Sequence, residues 1–84
     1  MSYFVYILEC SDKSLYTGIT TDIKKRLDEH NSSPKGAKYT KARRPVKLRY
    51  SEASENRSTA SKREYAIKKL SREKKLQLIQ TSLL

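Results

Sequence analysis

Tyr3-Phe4-Val5-Tyr6-Ile7-Leu8-Glu9-Cys10 is the stretch from which the rest of the chain is read. Nearly every position is apolar, and β-branched or aromatic types dominate. Such a run is expected to form a strand buried on both faces. Ser11-Asp12-Lys13-Ser14 is a turn cluster, and Leu15-Tyr16-Thr17-Gly18-Ile19-Thr20 reads as the returning strand of a hairpin. If the turn brings Leu8 opposite Tyr16, then Tyr6 faces Gly18 and both tyrosine hydroxyls emerge on one face. The glycine would leave room beside Tyr6 for a water or a phosphate. The plainer alternative is two ordinary strand tyrosines and a glycine that marks a bulge.

Beyond the hairpin, Thr20, Thr21 or Asp22 can cap a helix whose apolar stripe holds Ile23 and Leu27. Asn31-Ser32-Ser33-Pro34 ends it. Lys35 to Pro45 reads as a basic loop. Val46-Lys47-Leu48-Arg49-Tyr50 alternates with period two, which predicts a third strand with one buried face. A second helix is expected to begin between Asn56 and Ser58, with Ala60, Ile67 and Leu70 on one stripe. Ser71 caps a third, with Glu73 in its first turn and Leu76, Ile79 and Leu83 on its buried side. The expected order is β-β-α-β-α-α: a small α+β domain over residues 1–84, with a three-stranded antiparallel sheet flanked by three helices.

Composition narrows the partners. Nineteen Lys and Arg against nine acids give a net charge of +10 in 84 residues. A field of that sign draws in polyanions and speeds their encounter. Cys10 is the only cysteine, so no intrachain disulfide forms and no thiolate zinc site can be built from it alone. A reducing cytoplasm is the expected compartment. The chain has no apolar run long enough for a membrane helix, and no membrane partner is expected.

Three further constellations could carry chemistry. Arg26 and His30 lie four apart and share a helix face. An arginine fork holds phosphate, and a neutral histidine can take a proton or orient a hydroxyl. The alternative is a solvated face shared with Lys24, Lys25 and Asp28. Glu64 lies at the edge of the second helix's apolar stripe, where a carboxylate needs a partner. A hydrated Mg²⁺ would serve, since that ion is often held by one carboxylate plus waters and substrate phosphate. An ion pair with Lys68 would serve equally. The third constellation is a run of seven cations, from Lys35 to Arg49, with Tyr39 among them and no acid between. Charge with an interleaved aromatic suits a phosphate backbone and an unstacked base.

Taken together and in order, Val5-Tyr6-Ile7, Tyr16-Thr17-Gly18, Arg26, His30 and Glu64 resemble the motifs of the GIY-YIG nuclease family. Lys35-Gly36-Ala37-Lys38-Tyr39-Thr40 is similar to its small stand-alone bacterial (YhbQ-like) members. The first tripeptide here lacks its glycine, and the second has Thr17 in place of isoleucine.

The resemblance implies a GIY-YIG fold and hydrolysis of a nucleic-acid phosphodiester with one divalent metal, Mg²⁺ or Mn²⁺. DNA stands ahead of RNA, with structured repair or recombination substrates in view. Tyr6 would be the general base, Arg26 would hold the phosphate, and His30 would relay the proton or position Tyr6. Tyr16 would complete the pocket, Gly18 would belong to the structural motif, and Glu64 would bind the metal. Lys35, Lys38, Tyr39, Lys41, Arg43 and Arg44 would hold the flanking strand. The competing expectations are a non-catalytic nucleic-acid-binding module and a subunit that cleaves only with a protein partner, docking through Leu83 and Leu84. A monomer is otherwise expected.

Overall fold

The computed structural model describes residues 2–81. Strand β1 (Tyr3–Glu9) and strand β2 (Leu15–Thr20) form the hairpin, followed by helix α1 (Ile23–Ser32) and a single helical turn α2 (Lys38–Lys41). Strand β3 (Lys47–Ser54) and helices α3 (Arg57–Lys68) and α4 (Arg72–Thr81) complete the order. The expected α+β arrangement is met, with α2 as an extra turn inside the segment read as loop.

β1 is central in an antiparallel sheet of order β2-β1-β3. Its central position explains why the run from Val5 to Leu8 is apolar throughout: those four residues are at most 3 % exposed. Alternate residues feed two cores. Val5 and Ile7 pack with Ala60, Ile67 and Ile79 beneath α3 and α4. Tyr6, Leu8 and Cys10 pack with Val46 on the opposite face, where Leu27 of α1 also lies.

The helix starts follow capping chemistry. The Asp22 side chain accepts from the Lys25 amide at 3.1 Å, which settles the choice among the three candidate caps of α1. Asn56 and Thr59 form a reciprocal capping box on α3. The Ser71 hydroxyl oxygen accepts from the Lys74 amide at 3.2 Å at the start of α4.

Two expectations are corrected. β3 does not keep period two, because Ile7 pairs with Tyr50 while Leu8 pairs with Leu48. Arg49 is the additional residue of a β-bulge, which turns Leu48 and Tyr50 to opposite faces. Tyr50 joins the α3 core, and Leu48 is 38 % exposed. On α4 the covered stripe is Lys75, Leu78 and Ile79, while Leu76 is 41 % exposed. Lys75 is half-buried, as a long side chain with an aliphatic stem allows. Leu83 and Leu84 lie outside the described residues.

Candidate active site around Tyr6 and His30

The hairpin register places Tyr6 opposite Gly18 and Leu8 opposite Tyr16, so the condition set for the hairpin is met. The room over Gly18 is filled differently from the expectation. A Cβ built there would lie 2.5 Å from Tyr6 Oη and 2.7 Å from Tyr6 Cζ. The phenol of Tyr6 itself lies across the glycine, so no water or phosphate occupies that space. Any side chain at position 18 would displace the phenol.

α1 delivers His30 to the same face. Read by spacing alone, His30 could have been solvated; instead it is fully buried. Its Nε2 is 2.9 Å from Tyr6 Oη, and its Nδ1 is 2.8 Å from Thr40 Oγ1. The Tyr16 ring sits edge-on to the imidazole at 5.2 Å. Tyr39 stacks on Tyr16 at 6.0 Å, and the Arg43 guanidinium lies 3.9 Å over Tyr39. A line of rings therefore runs from the buried Tyr6–His30 pair to the surface at Tyr39.

Arg26, one turn before His30, donates to Glu29 and to the Lys35 carbonyl, each at 2.9 Å. Its positive charge also reaches Tyr6. Burial pushes the Tyr6 phenol up to about 12, with Arg26 opposing and the charges of Tyr16 and Glu64 adding to the rise. Burial pushes His30 down to about 4, helped by Arg26 and Arg44 and opposed by Glu29. Both groups are therefore neutral across the physiological range.

Glu64 shares the sheet-facing stripe of α3 with Ala60 and Ile67, and its side chain is 23 % exposed. Lys68 pairs with Glu64 Oε2 at 3.4 Å, while Oε1 has no hydrogen-bond partner among the described residues. An ion pair at that distance, with Lys68 half exposed, is a weak competitor for the carboxylate. No group of three or more His, Cys, Asp or Glu gathers among the described residues. That donor set rules out a cage made only of protein ligands there. It fits a hydrated Mg²⁺ or Mn²⁺, which needs one open carboxylate oxygen and completes its shell with water and substrate phosphate.

The basic segment divides in two. Lys35, Lys38 and Lys41 are exposed and make no ion pair among the described residues. Arg43 bonds Asp12 at 3.0 Å and the Tyr39 carbonyl at 3.0 Å. Arg44 is turned inward. It donates to the carbonyls of His30 at 2.6 Å, Ser33 at 2.6 Å and Glu29 at 3.3 Å, closing the C-terminal end of α1. With Nε and Nη2 on three carbonyls, Arg44 ties the end of α1 to the segment before β3. Gly36 makes that closure tight: a Cβ there would lie 2.7 Å from the Glu29 carbonyl oxygen. The residue that sequence reading missed is Thr40. It sits in α2, fully buried; the sequence marks it only as the last residue of the Lys35–Thr40 segment, with no role attached to its hydroxyl.

The geometry can be set beside known proteins. The GIY-YIG catalytic domain family matches residues 2–77. A UPF0213 protein of Syntrophus aciditrophicus is 64 % identical over 76 residues, covering 90 % of this chain and 87 % of the relative. A UPF0213 protein of Desulfotalea psychrophila is 59 % identical over 81 residues, covering 96 % and 74 %. Among solved structures, the solution structure of a Bacillus halodurans UPF0213 protein has 48 % identity and a TM-score of 0.62, covering 96 % of this chain and 85 % of that one. An E. faecalis protein, also solved by NMR, has 47 % identity and a TM-score of 0.66 with the same coverages. No helix among the described residues is long and apolar enough to cross a membrane. With its hairpin register, its buried Tyr6–His30 pair and a family match over nearly its whole length, the chain belongs to the GIY-YIG family.

Proposed function

We propose that this protein hydrolyses phosphodiester bonds in DNA, with Tyr6, His30, Arg26 and Glu64 as its working groups. The observation that carries the proposal is the buried hydrogen bond of 2.9 Å between Tyr6 Oη and His30 Nε2.

Magnitudes choose between two ways of using Tyr6 as a base. With the phenol at about 12, a standing tyrosinate at pH 7 costs about 7 kcal/mol. With His30 at about 4, a protonated imidazole at pH 7 costs about 4 kcal/mol. Passing the proton onward to His30 is the cheaper route. Tyr6 Oη takes a proton from the attacking water while its own proton moves to His30 Nε2. The water oxygen bonds to phosphorus, and the bond from phosphorus to the leaving oxygen breaks; the leaving oxygen departs as an alkoxide and takes its proton from solvent. Tyr6 stays a neutral phenol throughout, and His30 ends as the imidazolium. That charge forms beside a phosphate, which offsets part of its cost.

Arg26, held by Glu29, supplies permanent positive charge next to Tyr6 and stabilises charge on the non-bridging oxygens. Glu64 would hold the divalent ion through Oε1. When bound, the ion supplies Lewis-acid stabilisation of the leaving oxygen. Exposed Lys35, Lys38 and Lys41, together with Tyr39 of the Tyr16–Tyr39 stack, would hold the flanking strand.

Flap, forked and single-stranded DNA incubated with and without Mn²⁺ test this directly. The parent is expected to give metal-dependent product. Glu64→Ala and Arg26→Ala should lose roughly 10² to 10³-fold in rate while still binding. Equal cutting by both variants rules the mechanism out. One observation favours the alternative of a non-catalytic binding module: Tyr6 is only 3 % exposed. Binding of all three DNAs without any metal-dependent product would select it.

A further inference from the structure

Proton transfer from Tyr6 to His30 needs a lone pair on Nε2, and a neutral imidazole carries its hydrogen on one nitrogen only. What holds the hydrogen on the other nitrogen is therefore a structural question. His30 Nδ1 has two neighbours: Thr40 Oγ1 at 2.8 Å and the Ala37 amide nitrogen at 3.5 Å. Thr40 Oγ1 is also 2.9 Å from the Ala37 carbonyl oxygen.

Two arrangements of hydrogens fit these distances. In the first, the Thr40 hydroxyl donates to the Ala37 carbonyl, Nδ1–H donates to Thr40 Oγ1, and the Tyr6 hydroxyl donates to Nε2. Every side-chain donor is then matched at 2.9 Å or less, and only the Ala37 N–H, which points at Nδ1 from 3.5 Å, loses its acceptor. In the second, Thr40 and the Ala37 amide both point at Nδ1, and Nε2–H points at Tyr6. The Tyr6 hydroxyl hydrogen is then left with no acceptor among the described residues, on a group only 3 % exposed. An unmatched buried donor costs about 1–3 kcal/mol, more than a long amide contact returns. The first arrangement wins.

We infer that Thr40 is a positioning residue that holds His30 in its Nδ1–H form, so that Nε2 presents its lone pair to Tyr6. The single turn α2 is the device that delivers it. Ala37 to Lys41 coils once, and that coil brings the Thr40 hydroxyl to the Nδ1 edge of the imidazole. The consequence for catalysis rests on the function proposed above; the tautomer itself does not.

His30 is the only histidine, so its ring nitrogens can be read without ambiguity in long-range ¹H–¹⁵N spectra of the uniformly labelled protein, free of metal and DNA. The expected spectrum shows Nδ1 as the protonated nitrogen and Nε2 as the unprotonated one. Thr40→Val keeps the shape and removes the hydroxyl, and should move the population toward Nε2–H. Thr40→Ser should restore the parental pattern. In the cleavage assay, Thr40→Val should lower kcat roughly tenfold or more with little change in KM, and Thr40→Ser should recover most of it. A parental spectrum with Nε2 protonated overturns the inference, whatever happens to the valine variant. So does a Thr40→Val spectrum identical to the parent's. If the tautomer behaves as expected but the parent cuts no DNA, the proposed function fails and the role of Thr40 in setting the ring stands.

Discussion

β1 presents two faces that are built from alternate residues of the same seven-residue strand and have little else in common. Val5 and Ile7 meet Ala60, Ile67 and Ile79 in an apolar layer where shape and volume decide stability. Tyr6, one residue away, meets His30, and His30 meets Thr40, in a layer where each buried hydrogen must find an acceptor. One face tolerates conservative exchange of hydrocarbon; the other is sensitive to single atoms. Parity along the strand thus separates the hydrocarbon packing of Val5 and Ile7 from the hydrogen bonds of Tyr6, while Glu64, on the α3 stripe with Ala60 and Ile67, is the one candidate group carried by the apolar side.

The largest expected effect on stability is on the apolar face. Ile67→Ala removes a fully buried side chain and should cost about 2–5 kcal/mol in urea unfolding. The His30 ring spectrum of the folded variant should not change. A shifted spectrum would show that the two faces are coupled through the sheet.

Acid should strike the polar face next. His30 binds its proton less tightly in the fold (about 4) than in the free chain (6.5). Between those values the unfolded state holds more protons, so stability rises with pH there. The contribution is complete above pH 6.5, falls as pH drops, and is gone below pH 4. Its full size is about 3 kcal/mol. Asp12 and Glu29, held low by the Ser14 hydroxyl and by Arg26 respectively, act at more acidic pH. Denaturant titrations should therefore slope between pH 6.5 and 4 in the parent and lie nearly flat there in His30→Gln.

Gly18→Ala should cost about 1–3 kcal/mol, because the added carbon would lie 2.5 Å from Tyr6 Oη and the ring must give way. Its rate loss should exceed that of any substitution of similar cost on the apolar face. Calorimetry beside the cleavage assay checks the pair. The smallest effect belongs to the exposed cations. Lys38→Ala should leave melting unchanged and lower the log–log salt slope of DNA binding by roughly 0.7 to 0.9.

Much of this was legible in the residues. The pairing of Tyr6 with Gly18 was legible as one register of the hairpin, because hairpin pairing is local. Capping chemistry found the start of α4 at Ser71 for the same reason. The bulge at Arg49 was not legible, since an inserted residue is invisible to a period-two pattern. Nor was the inward turn of Arg44, whose carbonyl partners lie 11 to 15 residues back along the chain. Thr40 escaped because its meaning comes from His30, ten positions away, and no local pattern ties a hydroxyl in a basic segment to an imidazole on the preceding helix. Position 36 shows the opposite case: a glycine in a turn-rich stretch is easily seen, but the carbonyl it makes room for is not.

The central claim is that the Tyr6 hydroxyl takes the proton of the attacking water. Tyr6→Phe tests it most directly, because the ring stays over Gly18 and only Oη is removed. With Mn²⁺ and a flap or forked DNA, the account expects product formation to fall at least about 100-fold while DNA binding holds. A phenylalanine variant that cuts as fast as the parent would contradict it.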